Sequence, residues 1–331
     1  MTTAIRTTGL TKRYFNQLAV NDVNIHIPQG EIVGLVGKNG AGKTTLIRLL
    51  TGLVFPTSGT FELLPDASRT DTDVAAVVER PASYKSMTAA DNMIAQCLLL
   101  GLQPDPDYIE RTLQLVGLSS ADKKLVKNYS LGMQQRLAIA LTLIGKPKLL
   151  FSDEPTNGLD PQGIHDIREI LVSLNRQMGV TIVVSSHILS KLAKFATMFL
   201  FMDNGRIVKS VRADELSELS VKHTRITVDN TDLACELLAP LGKTKVFAEH
   251  VVDFAGDVPP TTLLLALAQG GVTATNLVNA NDGLEEYFLQ LTNNANAPQN
   301  PTLSDALARS TAASGTNPPS TDNNRKGDDH D

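Results

Sequence analysis

The chain has 331 residues, 42% hydrophobic and 20% charged, which suits a globular protein with one large domain and a smaller one. Its formal net charge of -5 excludes the overall basic excess of most nucleic-acid binders, and no partner of that class is expected. Cys97 and Cys235 are too few and too far apart for a disulfide framework or a metal site, so both are expected as buried free thiols.

Met1 to Arg6 is polar and does not read as a signal peptide, and no run approaches the ~18 apolar residues needed to span a bilayer. Ala4 to Leu10 and Val23 to Ile27 are expected as strands of an open antiparallel layer. Ile32 to Val36 is a short apolar run ending at glycine, followed by a helical pattern from Lys43 to Leu53. Over about 81–145 the strand signal disappears. There Thr88 to Leu102, Tyr108 to Val116 and Ser130 to Ile144 read as helices, so a helical subdomain is expected inside the core. Lys148 to Ser152 and Thr181 to Ser185 are again apolar runs bounded by turns. Buried strands alternating with helices predict an α/β core with a mainly parallel sheet.

After about Ser220 the pattern changes to a small α/β unit. Arg225 to Val228, Lys245 to Ala248 and Thr273 to Val278 are expected as strands. Asp232 to Leu238, Pro260 to Gln269 and Leu284 to Leu291 are expected as helices. From Asn293 to Asp331 few large apolar residues remain, too few to offset the entropy of ordering, and a disordered tail is expected. The expected domains are therefore 1–218, 219–292 and the tail 293–331. No internal repeat is present, which implies one catalytic unit per chain.

The strongest motif is Gly37-Lys38-Asn39-Gly40-Ala41-Gly42-Lys43-Thr44, which fits G-x-x-x-x-G-K-[ST] between a strand and a helix. Its glycines let the backbone wrap a phosphate chain with N–H groups inward, and the following helix adds a positive end. Lys43 is expected on the β- and γ-phosphates, the Thr44 hydroxyl on Mg²⁺, and Thr45 within the same phosphate cradle. A hundred residues later, the strand Leu149 to Ser152 ends in Asp153 and Glu154. Beside such a loop, Asp153 can hold Mg²⁺ through water and Glu154 can act as general base on the attacking water. An ordinary strand followed by a solvated acidic turn is the alternative for this pair taken alone.

Upstream lies Tyr129-Ser130-Leu131-Gly132-Met133-Gln134-Gln135-Arg136, and here the chain resembles the ATP-binding cassette (ABC) family, whose signature reads L-S-G-G-Q before a helix. Ser130 and Gly132 match; Tyr129, Leu131 and Met133 depart. The resemblance implies that this segment contacts the γ-phosphate held by a second ATP-binding subunit, in a homodimer. It further implies Asn157 to Asp160 as the D-loop, His187 as the switch histidine at the γ-phosphate, and Tyr14 as the aromatic stacked on adenine. Glu79 stands where the family usually has a glutamine sensing Mg²⁺ and the membrane partner, and Ser152 where it usually has a large apolar residue. Glu79, the signature variant and Leu284 to Thr292 are similar to the bacitracin-resistance and lantibiotic-immunity exporters.

The resemblance implies an ATPase at the cytoplasmic face of the membrane, working through a separate permease subunit. Its cofactors would be ATP and Mg²⁺, and its cargo peptide antibiotics or drugs. A cassette acting on ribosomes or chromosomes is the alternative. Such proteins usually carry two cassettes or a long heptad insertion, and neither feature occurs here.

Overall fold

A computed structural model describes residues 2–65, 70, 72–78, 83–219 and 223–280. Glu79, the segment Leu284 to Leu291 and the tail from Asn293 lie outside the described residues.

The chain starts with β1 (Thr3–Tyr14), whose Ala4, Ile5 and Leu10 are fully buried. It pairs antiparallel with β2 (Gln17–Val23), β3 (His26–Pro28) and, after α1, β5 (Ser58–Leu63). Val23 to Ile27, expected as one strand, is broken between β2 and β3. Asp22 sits at φ 53, and the Asn24 side chain takes over backbone partners: its amide oxygen accepts from Gly9 N–H at 2.7 Å and its amide nitrogen donates to Asp22 O at 3.0 Å.

The central sheet has the order β10-β9-β4-β8-β7-β6. Its strands are β4 (Ile32–Val36), β6 (Val74–Val77), β7 (Leu149–Ser152), β8 (Thr181–Ser186), β9 (Met198–Asp203) and β10 (Arg206–Arg212). All neighbours from β9 to β6 are parallel, and only β10 joins antiparallel. In β4 both faces are covered, as continuous apolar strands require. Ile32 and Val36 belong to the cluster with the helices, while Val33 and Leu35 belong to the cluster under the antiparallel layer. The strands β9 and β10 were not expected. Met198 to Met202 is an unbroken apolar run that reads as strand or helix alike. The signal that could have found them is Asn204-Gly205, both at positive φ, a pair that favours a two-residue hairpin turn.

Helix α1 (Lys43–Leu50) follows β4 and stops three residues earlier than expected, with Thr51 as C-cap and Gly52 at φ 75 beyond it. The expected helical subdomain holds α2 (Ala89–Leu99), α3 (Pro106–Leu115) and α4 (Leu131–Leu143). Thr88 and Asp91 form a reciprocal capping box at the start of α2, and the chain leaves that helix before Gly101 at φ 68. After β7 come α5 (Pro161–Met178), capped by Asp160, then α6 (Leu189–Leu192) and α7 (Ala213–Leu219). Cys97 is buried in this core, but Cys235 is only half-buried at the edge of the last apolar cluster, contrary to expectation.

That last cluster belongs to β11 (His223–Val228), α8 (Thr231–Leu238), β12 (Lys243–Ala248), β13 (Val251–Ala255), α9 (Pro260–Gln269) and β14 (Ala274–Ala280). The sheet order β12-β13-β11-β14, antiparallel throughout, is the ferredoxin-like β-α-β-β-α-β arrangement. Strand β13 was not expected, because Val251 and Val252 break the apolar–polar alternation. Among the described residues no helix is long and apolar enough to cross a membrane.

Candidate nucleotide-hydrolysis site

The site lies at the carboxyl ends of β4, β7 and β8, where a parallel sheet opens its loops to a ligand. Two glycines fix the first loop. A Cβ on Gly37 would stand 2.5 Å from Met202 O, and one on Gly42 would stand 2.2 Å from Ala19 O. Gly42 is also at φ 106 and serves as N-cap of α1 without any side-chain cap, so the first-turn N–H groups are left for an anion. Lys38, Asn39 and Gly40 are exposed on the outer turn of the loop, Ala41 is buried, and Thr44 and Thr45 are half-buried in the first turn of α1.

Lys43 is 6% exposed, and its ammonium folds back onto the loop. It donates to Gly37 O at 2.8 Å and Lys38 O at 3.2 Å, and it lies 3.6 Å from Glu154 Oε1. The Thr44 hydroxyl donates to Asp153 Oδ2 at 2.7 Å. A hydroxyl and a carboxylate oxygen meeting without thiolate or imidazole form a hard-oxygen donor pair, which fits Mg²⁺ better than zinc or copper. Among the described residues there is no group of three His, Cys, Asp or Glu side chains that could hold a metal by itself. Thr44 and Asp153 are the residues that would hold such an ion, with phosphate and water oxygens supplying the remaining partners.

Glu154 follows Asp153 in a left-handed conformation, φ 48, sparsely populated by non-glycine residues and common at functional sites. Its carboxylate faces His187, whose Nδ1 lies 3.0 Å from Oε2 and 3.2 Å from Oε1. An ionised carboxylate can only accept, so the imidazole form that bonds it is the one with a proton on Nδ1. Sequence reasoning missed Ser185. This buried hydroxyl donates to Asp153 Oδ1 at 2.5 Å and accepts from Glu154 N–H at 2.9 Å. Ser152, on the preceding strand, is fully buried and its hydroxyl has no hydrogen-bond partner among the described residues.

The fold thus gathers Lys43, Thr44, Asp153, Glu154 and His187 into one cluster. Tyr14 is elsewhere, at the end of β1, 38% exposed with the Lys12 ammonium 5.1 Å from its ring centre. Ser130 caps α4, accepting from Met133 N–H at 3.3 Å, and remains exposed. Its segment meets the Asn157 to Asp160 turn. Leu131 Cδ2 would lie 3.2 Å from a Cβ on Gly158, and Leu159 Cδ2 3.9 Å from one on Gly132. Arg136 on α4 anchors this helix to α5 through Asp166 at 2.8 Å.

The family profile described as "ABC transporter" matches residues 20–157. The bacitracin transport ATP-binding protein BcrA of Bacillus licheniformis is 34% identical over 300 residues, covering 88% of this chain and 98% of that protein. The lantibiotic transport ATP-binding protein SrtF of Streptococcus pyogenes is 45% identical over 202 residues, covering 60% and 87%. Among solved structures, CbiO1 of Clostridium perfringens, part of an ABC transporter complex, is 25% identical with a TM-score of 0.58, over 66% of this chain and 92% of that one. An ATP-binding cassette solved as a dimer with ADP and phosphate, 23% identical with a TM-score of 0.56, shares the fold over 63% of this chain and 98% of its own. These relatives do not favour the ribosome or chromosome alternative. The phosphate loop, the paired carboxylates and similarity along nearly the whole of a curated relative place the chain in the ABC transporter family, as an ATP-binding, ATP-hydrolysing subunit.

Proposed function

We propose that this chain powers the export of peptide antibiotics through a separate permease, from the cytoplasmic face of the membrane. The observation that carries the catalytic part is the cluster of Lys43, Thr44, Asp153, Glu154 and His187 at one end of the parallel sheet. Gly37 to Thr45 would cradle the phosphates of ATP, with Lys43 released from its loop carbonyls to the β- and γ-phosphates. Mg²⁺, when bound, would neutralise phosphate charge, held by the Thr44 hydroxyl and, through water, by Asp153. Glu154 would accept a proton from the attacking water, and His187 would hold that carboxylate and contact the γ-phosphate. Tyr14 would stack on adenine.

One chain offers one phosphate loop and one Ser130 segment, and the two lie on different subdomains. Two copies facing each other would complete both sites, with Ser130, Gly132 and the α4 N-terminus supplied to the opposite γ-phosphate. For the permease, the structure offers a cavity of about 490 Å³ lined by residues at the end of α1, on β6, on α2 and on α4. Its lining includes Leu53, 62% exposed, and Leu100, 38% exposed; Leu98 and Leu99 beside the latter are 62% and 68% exposed. Uncovered apolar side chains at this density suit a partner surface. The peptide cargo rests on the similarity to BcrA, which extends through the last sheet as well as the cassette.

Two experiments test this reading. Affinity purification of the full chain from native membranes in mild detergent is expected to bring down a multi-span membrane protein, identified by mass spectrometry. Recovery of ribosomes or DNA instead contradicts the transport reading. Deleting the gene is expected to lower the inhibitory concentration of bacitracin or a lantibiotic, and unchanged resistance across such peptides contradicts the cargo.

A further inference from the structure

We infer that Ser185 is a positioning residue for hydrolysis: one buried hydroxyl sets the orientation of Asp153 and the strained backbone of Glu154 together. The inference rests on the proposed roles of these two carboxylates. Ser185 is fully buried near the end of β8, two residues before His187. A serine hydroxyl has a single proton, and here it goes to Asp153 Oδ1 at 2.5 Å. That bond occupies one carboxylate oxygen and leaves the other, Oδ2, turned to the Thr44 hydroxyl at 2.7 Å. The hydroxyl oxygen then accepts the Glu154 N–H at 2.9 Å.

The second bond matters because Glu154 stands at φ 48, a conformation that persists only when its surroundings enforce it. Asn157 N–H bonds the Glu154 carbonyl at 3.0 Å on the other side of the same residue. With its amide held by Ser185 and its carboxylate held by His187, Glu154 is gripped twice by one strand end. The two neighbouring serines show that the hydroxyl at 185 is not incidental to polar packing. Among the described residues the equally buried Ser152 hydroxyl has no partner, and the Ser186 hydroxyl bonds only the local Ile188 N–H at 3.1 Å.

The test uses the purified full chain with Ser185→Ala, Ser185→Cys and Ser185→Thr. Cysteine keeps the volume but is a weak donor and acceptor; threonine keeps the hydroxyl. Three quantities are read: steady-state turnover, the Mg²⁺ concentration for half-maximal binding of a fluorescent ATP analogue, and the unfolding temperature without nucleotide. For Ala and Cys, kcat is expected to fall about 10–100-fold and half-saturating Mg²⁺ to rise several-fold, the size seen when an outer partner of a ligating group is removed. Binding of the analogue without Mg²⁺ is expected to change less than about threefold. A Thr variant that unfolds at the wild-type temperature is expected to recover both properties to within about threefold. If Ala and Cys keep wild-type turnover and Mg²⁺ dependence, or if a normally folded Thr variant is as impaired as they are, the inference is overturned. Normal turnover in Glu154→Gln would instead remove Glu154 as the base and leave the Mg²⁺ prediction for Ser185 standing.

Discussion

Replacing Gly42 with alanine tests the loop geometry quantitatively, because Gly40, two residues earlier in the same loop, serves as its control. At Gly42 the backbone has φ 106, and an added Cβ would lie 2.2 Å from Ala19 O on β2 and 2.8 Å from Met202 Cε on β9. The methionine end can move, but the carbonyl belongs to a paired strand. Ordinary contact begins near 3.4 Å, so the loop or β2 must shift by about 1 Å. Left-handed backbone costs alanine about 1–2 kcal/mol, and forcing extra volume into packed structure costs a further ~1–3 kcal/mol. The expected destabilisation of the nucleotide-free chain is therefore about 2–5 kcal/mol. Gly40, at φ 80, has nothing within 4 Å of its would-be Cβ, so Gly40→Ala carries the backbone term alone, about 1–2 kcal/mol. Urea titration of both variants without nucleotide, followed by fluorescence and circular dichroism, compares them directly. A Gly42→Ala chain as stable as wild type, or more stable than Gly40→Ala, refutes the reasoning.

Lys43→Ala is expected to abolish hydrolysis while leaving the fold intact, since the ammonium bonds only loop carbonyls and Glu154; retained turnover in the purified complex counts against the phosphate loop. Leu53→Asp with Leu99→Asp is expected to weaken permease capture without changing ATP binding by the isolated chain, read by co-purification and a fluorescent analogue. At the edge of the sheet, the backbone N–H of Thr70 holds the Asp73 carboxyl below its ordinary value of 3.8, aided by Lys148 and opposed by burial. A depressed carboxyl stabilises the fold fully above its ordinary value and loses that contribution as pH falls through the depressed one. Asp73→Asn is therefore expected to lose stability at neutral pH and to show a flatter acid-unfolding profile below about pH 4; an unchanged profile contradicts this.

What could be read from the sequence was what the chain keeps contiguous. Gly37 to Thr44 and Asp153-Glu154 each announce themselves by a local pattern joined to a strand end, whereas His187 was implied only by the family resemblance; the fold brings all three together. Ser130 was legible as a match to the family signature at the start of an expected helix. Ser185 was not, because a serine inside an apolar strand has no signature until β8 is seated against β7 and its hydroxyl reaches two carboxylate-bearing residues. The left-handed Glu154 is likewise invisible in sequence, since nothing there favours positive φ over the ordinary turn. In the last unit, alternating helices and strands were apparent, yet the ferredoxin-like order depends on β13, whose Val251-Val252 start obscures the strand period.

In the proposed assembly a second copy of the chain completes each hydrolytic site. Glu154→Gln separates assembly from chemistry, because the amide keeps the shape but removes a base worth about 10²–10⁴ in rate. Light scattering of this variant on gel filtration, with and without ATP and Mg²⁺, measures the assembly directly. A mass near twice 35.6 kDa is expected with nucleotide and a monomer without it, with loss of the dimer when Ser130→Arg is added. A chain that binds ATP yet remains monomeric, or whose dimer ignores Ser130→Arg, contradicts the claim.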